Sequence, residues 1–312
     1  MAPGAATIAD GRAAPGIVCV GIATLDRVFR VAGLPTGPGK RFAIAFAEVG
    51  GGPAATAAAA VARLGGRAEL WARVGDDATG TAIVAELAND GVDVAHVRRV
   101  PGAVSQQAAV TVDAAGERAI VSFRDPALDR DAAWLPLDRI AAAGAVLADV
   151  RWPEGATAAL GAARRAGVPS VLDADATDDD ALDRLVPLAA HVAFSAPGLA
   201  RFAGTDDPRE GLARAAARTG GTVGVTLGEA GVLWRDGDRT RHLPAFPVAA
   251  VDTLGAGDVF HGALALALAR GSGHEEALRY ASAAAALKCT RFGGRSGIPD
   301  AAAVDRFLQE RG

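Results

Sequence analysis

"PAATAAAAVARLGGRAELWARVGDDATGTAIVAELAND", residues 53–90, changes its periodicity twice in one short span. Its first part, 53–64, predicts a helix: proline stands at the first position, where a missing N–H costs nothing, and small residues follow. "AELWARV" (68–74) predicts a strand. "TGTAIVAELAND" (79–90) predicts a second helix, stopped by Gly91. A strand bracketed by helices over short joins is the repeating unit of a mainly parallel sheet.

The same alternation runs outward in both directions. "IVCVGI" (17–22) reads as a buried strand, and "AVLADV" (145–150), "SVLDAD" (170–175), "HVAFS" (191–195) and "TVGVTL" (222–227) follow, mostly separated by helix-like stretches. The class is α/β, with the sheet covered on both faces. Two regions break the rhythm. Residues 26–48 carry Gly, Pro and the alternating "RFAIAFAEV"; residues 104–124 contain "AAVTVDAAGERAIVSF", two alternating runs joined around Asp113–Gly116. The second pattern predicts a hairpin. Together the two regions predict a small antiparallel sheet standing off the main body as a lid. No repeat or linker divides the chain, so residues 17–312 are expected to form one domain, preceded by a loose tail over 1–16.

Bulk properties narrow the function. The chain has 312 residues, 50% hydrophobic, with a net charge of −4. That suits a large core, and without a basic block nucleic acid is not expected as a partner. The start lacks a cationic region followed by an apolar one, so no secretory signal is expected, and no long charge-free apolar run predicts a membrane span. Cys19 and Cys289 imply neither a disulfide framework nor a metal cluster, which fits a reducing, cytoplasmic setting. Arg is spread along the chain, whereas Lys40 and Lys288 are its two lysines.

The chemistry concentrates in "DTLGAGD" (252–258), which runs into the apolar "VFHGALALALAR". Gly255, Ala256 and Gly257 can bring backbone N–H groups close to a ligand, and a helix starting near Asp258 adds partial positive charge. Phosphoryl transfer needs such a cradle and a base beside it to take a proton from an attacking hydroxyl. The competing reading is a tight turn with Asp258 serving only as a helix-start residue.

"FPVAAVDTLGAGDVFHGAL" (246–264) resembles the C-terminal signature of the ribokinase-like (PfkB) sugar kinases, and "EVGGGPAATAAAAVARLGGRAELWARVGDDATG" (48–80) resembles their N-terminal one. The resemblance extends from Ile17 to Pro299. It implies a doubly wound sheet with a β lid, an ATP-dependent kinase using Mg²⁺, and a homodimer formed through the lid. By resemblance Asp258 is the catalytic base, and Gly255, Ala256 and Gly257 form the anion hole. Thr226, Gly228 and Gly231 of "VTLGEAG" (225–231) lie along ATP. Asp26 holds sugar hydroxyls, and Gly51 and Gly52 line the sugar floor. Where many members carry N-x-x-E, this chain has "SAPG" (195–198), so the resemblance leaves Mg²⁺ to ATP phosphates and water, with no protein metal ligand assigned. "TRFGGRSG" (290–297) is placed beside adenine, a candidate for a monovalent cation held by backbone carbonyls, with a surface turn as the alternative. Arg291 and Arg295 are candidates to meet ATP phosphates.

Finer wording bears on the sugar. "VGIATLDRVFRVAGLPTGPGK" (20–40), "LADVRW" (147–152), "FSAPGLARFAG" (194–204) and "ALKCTRFGGRSGIPD" (286–300) resemble the bacterial 6-deoxy-6-sulfofructose kinase branch, which phosphorylates the C1 hydroxyl of that ketose. A sulfonate is a permanent anion that calls for a cationic fork or point charge plus neutral donors. Arg151 and Lys40 match the branch's sulfonate-contacting positions, and Ser122 stands where it has an asparagine. The shorter serine keeps fructose 6-phosphate, tagatose 6-phosphate or another ketose open as substrates. A non-catalytic sugar or nucleotide sensor is the alternative of another class. A dinucleotide dehydrogenase is disfavoured because "GIATLD" offers no G-x-G-x-x-G.

Overall fold

A computed structural model describes residues 14–114 and 117–311. The part of the expected tail over 1–13 lies outside the described residues. The strands, in chain order, are β1 (Gly16–Val20), β2 (Thr24–Arg30), β3 (Ala45–Gly51), β4 (Arg67–Gly75), β5 (Val97–Val100), β6 (Gln107–Val112), β7 (Arg118–Phe123), β8 (Ala145–Asp149), β9 (Ser170–Ala174), β10 (His191–Ser195), β11 (Thr222–Thr226), β12 (Val232–Asp236) and β13 (Arg239–Leu243). The helices are α1 (Pro53–Arg63), α2 (Ala78–Asn89), α3 (Pro153–Ala166), α4 (Ala181–Leu185), α5 (Ala196–Ala203), α6 (Pro208–Ala216), α7 (Ala256–Ala269), α8 (His274–Cys289) and α9 (Ala301–Gln309).

The main sheet has the order β13-β12-β11-β10-β9-β8-β1-β4-β5. Its seven strands from β11 to β5 pair in parallel, and β12 and β13 extend it antiparallel at one edge. Alternation along the strands splits the core. Ile17 and Cys19 of β1 face α1, α7 and α8, whereas Val18 and Val20 face the layer of α3 to α6. Alanines allow α1 to lie close against α7: a side chain at Gly262 would meet the Ala57 carbonyl at 2.5 Å. Overpacking of that kind costs about 1–3 kcal/mol.

The chain leaves β1 towards β4 and β5, then returns to β8 on the other side of β1. Strand order therefore reverses between β1 and β8, and ligands in such sheets bind beyond the carboxyl ends at that point. The two segments that broke the sequence rhythm form a second sheet, β3-β2-β6-β7. Its outer pairs are antiparallel, as expected, but the central β2–β6 pair is parallel. The small sheet is thus rich in antiparallel pairs, as expected, and its one parallel joint arises because two separate excursions of the chain each contribute one antiparallel pair and meet side by side. Val49, Asp26, Ala108 and Ser122 stand in one row across this sheet and share a face.

Candidate functional site

The carboxyl edge of the main sheet gathers three carboxylates. Asp149, at the end of β8, is buried and packs on Gly21. It accepts hydrogen bonds from the N–H groups of Ile22 (2.9 Å), Ala54 (3.1 Å) and Arg151 (2.8 Å), tying β8 to the turn after β1 and to the start of α1. Burial lifts it to about 6, the backbone donors oppose that, and Asp173 adds to it. Asp173, at the end of β9, lies 3.2 Å from Nδ1 of the buried His261 on α7. Burial disfavours charge on that imidazole, but Asp173 and then Asp258 outweigh it and raise its proton affinity. Asp258 occupies the first turn of α7. Desolvation, reinforced by Asp173 and Asp149, lifts it to about 7, against the pull of His261 and Arg295.

The loop in front of Asp258 has the geometry its glycines suggest. Gly255 caps α7 with a φ of 76°, a left-handed conformation that favours glycine. A side chain on Gly257 would meet nothing within 4 Å, so this backbone faces open space. Ala256 and Gly257 line a cavity of about 590 Å³, together with Thr226, Gly228, Gly231, Phe246 and Ala286. The Thr226 hydroxyl donates to the Phe194 carbonyl at 3.3 Å, which fixes it in the cavity wall. Backbone donors at a helix N-terminus, opening on a largely apolar slot, fit a nucleotide polyphosphate with its base. Asp149 is already engaged by backbone N–H groups, and Asp173 lies against His261.

On the opposite side Asp26 projects from β2, with Thr24 Oγ1 donating to its Oδ1 at 2.8 Å. Burial raises its proton affinity; the Thr24 bond and Arg295 oppose this. A methyl group at Gly51 would run into the Asp26 carboxylate, and Gly52 has a φ of 90°. These two glycines therefore let the loop close beneath Asp26. Sequence reasoning placed Arg295 near ATP phosphates. Its buried guanidinium instead donates to the Gly51 carbonyl at 2.6 Å and to Thr56 Oγ1 at 3.4 Å, and it attracts both Asp26 and Asp258. The cause is the short turn at 294–297, which carries Arg295 inward under β3. Arg291 stays exposed.

Arg151 follows β8, as its sequence position implies. It donates to the Ala176 carbonyl (2.9 Å) and to Asp175 Oδ2 (2.5 Å), and Asp175 Oδ1 accepts from Ser195 at 2.7 Å. Ser195 in turn caps α5 by accepting from Gly198 N–H. Thus "SAPG" is a capped helix start wired to Arg151. Ser122 lies exposed on the face it shares with Asp26. Lys40 does not join this group: it is exposed on the segment between β2 and β3, its Nζ 5.0 Å from the centre of the Phe42 ring.

The loop 290–297 is tied to Asp252 and to itself. Its N–H groups at Gly293 and Gly294 point to Asp252 Oδ2, at 3.1 and 3.2 Å. The carbonyls of Gly293 and Arg295 accept bonds from Ser296 and Ile298 within the turn. Lys288 Nζ lies 2.9 Å from the Asp252 carbonyl.

Sequence reasoning missed Asp149, Asp173, His261 and Lys288 as parts of the site. A signal existed for two of them, since a single acid interrupts each of the apolar strands "AVLAD" and "SVLDA".

A buried carboxylate of raised proton affinity stands beside the open backbone of a helix start and a cavity of about 590 Å³, the parts that phosphoryl transfer to an alcohol requires. Comparison with known proteins agrees. Residues 14–301 match the pfkB family of carbohydrate kinases. The chain is similar to ribokinase from Bacillus subtilis (strain 168), 30% identical over 298 residues, covering 94% of this chain and 99% of that one. It is similar to fructokinase from Klebsiella pneumoniae, 34% identical over 259 residues, covering 76% and 80%. A crystal structure of a ribokinase candidate from Agrobacterium tumefaciens superposes with a TM-score of 0.92 at 41% identity, covering 96% and 98%. The chain belongs to the pfkB carbohydrate kinase family and is an ATP-dependent phosphotransferase. Among the described residues, no helix is long and apolar enough to cross a membrane.

Proposed function

We propose that this kinase phosphorylates the C1 hydroxyl of 6-deoxy-6-sulfofructose. The observation that carries the reading is Arg151 at the end of β8, held by Asp175 and Ala176 with only two of its N–H donors used. A guanidinium has five such donors, so three remain for a sulfonate. Ser122 supplies a neutral donor from the face it shares with Asp26, and Lys40 reaches in when the small sheet acts as a lid. Asp26 orients the sugar over Gly51 and Gly52. Asp258 takes the proton of the C1 hydroxyl as that oxygen attacks. The N–H groups around Gly255, Ala256 and Gly257 hold the migrating group, while Thr226, Gly228 and Gly231 line the nucleotide. ATP supplies the phosphoryl group, and Mg²⁺ offsets charge on its phosphates.

A second reading is favoured by Ser122 itself. Its short side chain leaves room for the more highly charged phosphate of fructose 6-phosphate or tagatose 6-phosphate. Turnover of sulfofructose, both sugar phosphates and fructose with MgATP decides between them. A much higher kcat/KM for sulfofructose is expected, and equal values for sulfonate and phosphate sugars would defeat the narrow reading.

The small sheet also supports a homodimer. Its outer face exposes Phe46 (57%), Val121 (74%) and Phe123 (49%). Light scattering at working concentration tests this, and a monomer would reject it. The free thiols Cys19 and Cys289 support a cytoplasmic location.

A further inference from the structure

Lys288 is the next-to-last residue of α8, and its side chain is fully buried. Burying an ammonium is costly unless it is paired and hydrogen-bonded. Its Nζ lies 2.9 Å from the Asp252 carbonyl and 3.2 Å from Asp252 Oδ2. Asp252 is the hub of the turn that precedes the anion hole. Its carboxylate also accepts from Leu254 N–H at 2.8 Å and from the N–H groups of Gly293 and Gly294. The Cys289 carbonyl, at the end of the same helix, accepts from the N–H groups of Val251 (2.7 Å) and Asp252 (3.1 Å). One ammonium thus stands where the 251–254 turn, the end of α8 and the 290–297 loop converge. It touches a carbonyl and a carboxylate there, the oxygen types that a free monovalent cation would seek. The remaining groups turned towards Asp252 are N–H donors, which repel a cation.

We infer that Lys288 is a tethered monovalent cation: it neutralises Asp252, fixes the turn that aims the backbone of residues 255–257, and frees the kinase from any need for a dissociable monovalent cation. Lys288 is a positioning residue, since it acts through Asp252 and the turn. Without its charge, Asp252 would place an uncompensated carboxylate beside the phosphates, and the turn would lose its tie to α8. A free cation could then refill the vacated space.

The test compares kcat and KM at constant ionic strength, with tetramethylammonium as the sole cation besides Mg²⁺ and then with added KCl or NH₄Cl. Any sugar that the enzyme turns over serves, so failure of the sulfofructose reading leaves this experiment intact. Wild-type kcat is expected to be the same in all three media. Lys288→Ala is expected to lose roughly ten- to hundredfold in kcat, with the sugar KM little changed. K⁺ or NH₄⁺ should restore part of that loss. Wild-type kcat that climbs several-fold with KCl overturns the inference. So does a folded Lys288→Ala with full kcat in tetramethylammonium, or one whose loss no monovalent cation relieves. Should Lys288→Ala fail to fold, the wild-type salt series decides alone.

Discussion

Residues 252 and 258 stand at the two ends of one short loop, and each is an aspartate, yet the protein treats them in opposite ways. Burial works against charge on Asp252, but backbone N–H groups and the Lys288 ammonium overcome it and hold the carboxyl below the usual range. Asp258 faces Asp173 and Asp149, and burial with their repulsion lifts it to about 7. The first end has its carboxylate fully engaged. The second is left short of partners, as a group must be if it is to accept a proton. A single loop thus separates a carboxylate held in its charged form from one whose proton affinity is raised.

Substitution at each end should break the two behaviours apart, and this is the largest effect expected. Asp258→Asn should lower kcat by about 10²–10⁴, with sugar and ADP affinities retained. Its stability should hold or rise, because a repelled carboxylate has been removed. Asp252→Ala should leave Lys288 without its charge partner and cost about 3–5 kcal/mol in unfolding free energy. Urea melts and steady-state rates on the same preparations check both. An Asp258→Asn enzyme with undiminished kcat would erase the distinction.

The pH profile sharpens the comparison at smaller scale. Asp258 must be ionised to act as a base, and its proton affinity is raised, so kcat/KM should climb with pH through about 7 and level off above it. Asp173→Asn removes a negative neighbour. That makes ionisation of Asp258 easier and should move the rise to lower pH. The same change weakens the charge on His261, which pushes the other way, but Asp173 is the stronger influence on Asp258. His261→Gln removes the positive partner and should move the rise to higher pH. Shifts in the reverse directions would show that the base titrating in the profile is not Asp258.

How much of this was legible beforehand follows from how each feature is encoded. The local elements announce themselves: proline at the start of α1, the alternation of β6 and β7 in the small sheet, the acid after the glycines. Observed boundaries such as Ala78–Asn89 and Ala145–Asp149 fall within a residue or so of the sequence reading. The electrostatic partners of Asp258 were not legible in the same way. Asp149 and Asp173 come from the ends of different strands and meet only because β8 and β9 are neighbours in the sheet. The direction of Arg295 depends on a turn, and no spacing rule tells whether such a turn carries a guanidinium towards the nucleotide or beneath Gly51. The parallel joining of β2 to β6 is likewise a consequence of sheet assembly, invisible to either segment alone.

The smallest effect expected concerns the sugar side, and it asks whether charge there is as deliberately unspent as at Asp258. Arg151 is tied at one end to Asp175, so its position does not rely on a ligand, and its remaining donors are free to meet one. A charge-assisted hydrogen bond is worth about 1.5–3 kcal/mol, which corresponds to roughly ten- to hundredfold in affinity. Arg151→Ala should therefore raise KM for an anionic ketose by that factor and leave KM for ATP unchanged, with kcat much less affected. Asp175→Asn keeps the guanidinium but loosens its tether, so its effect on the sugar KM should be smaller and of the same sign. If both variants raised the ATP KM as much as the sugar KM, the Arg151–Asp175–Ser195 chain would belong to the nucleotide side. The anion-binding role would then pass to some other cation.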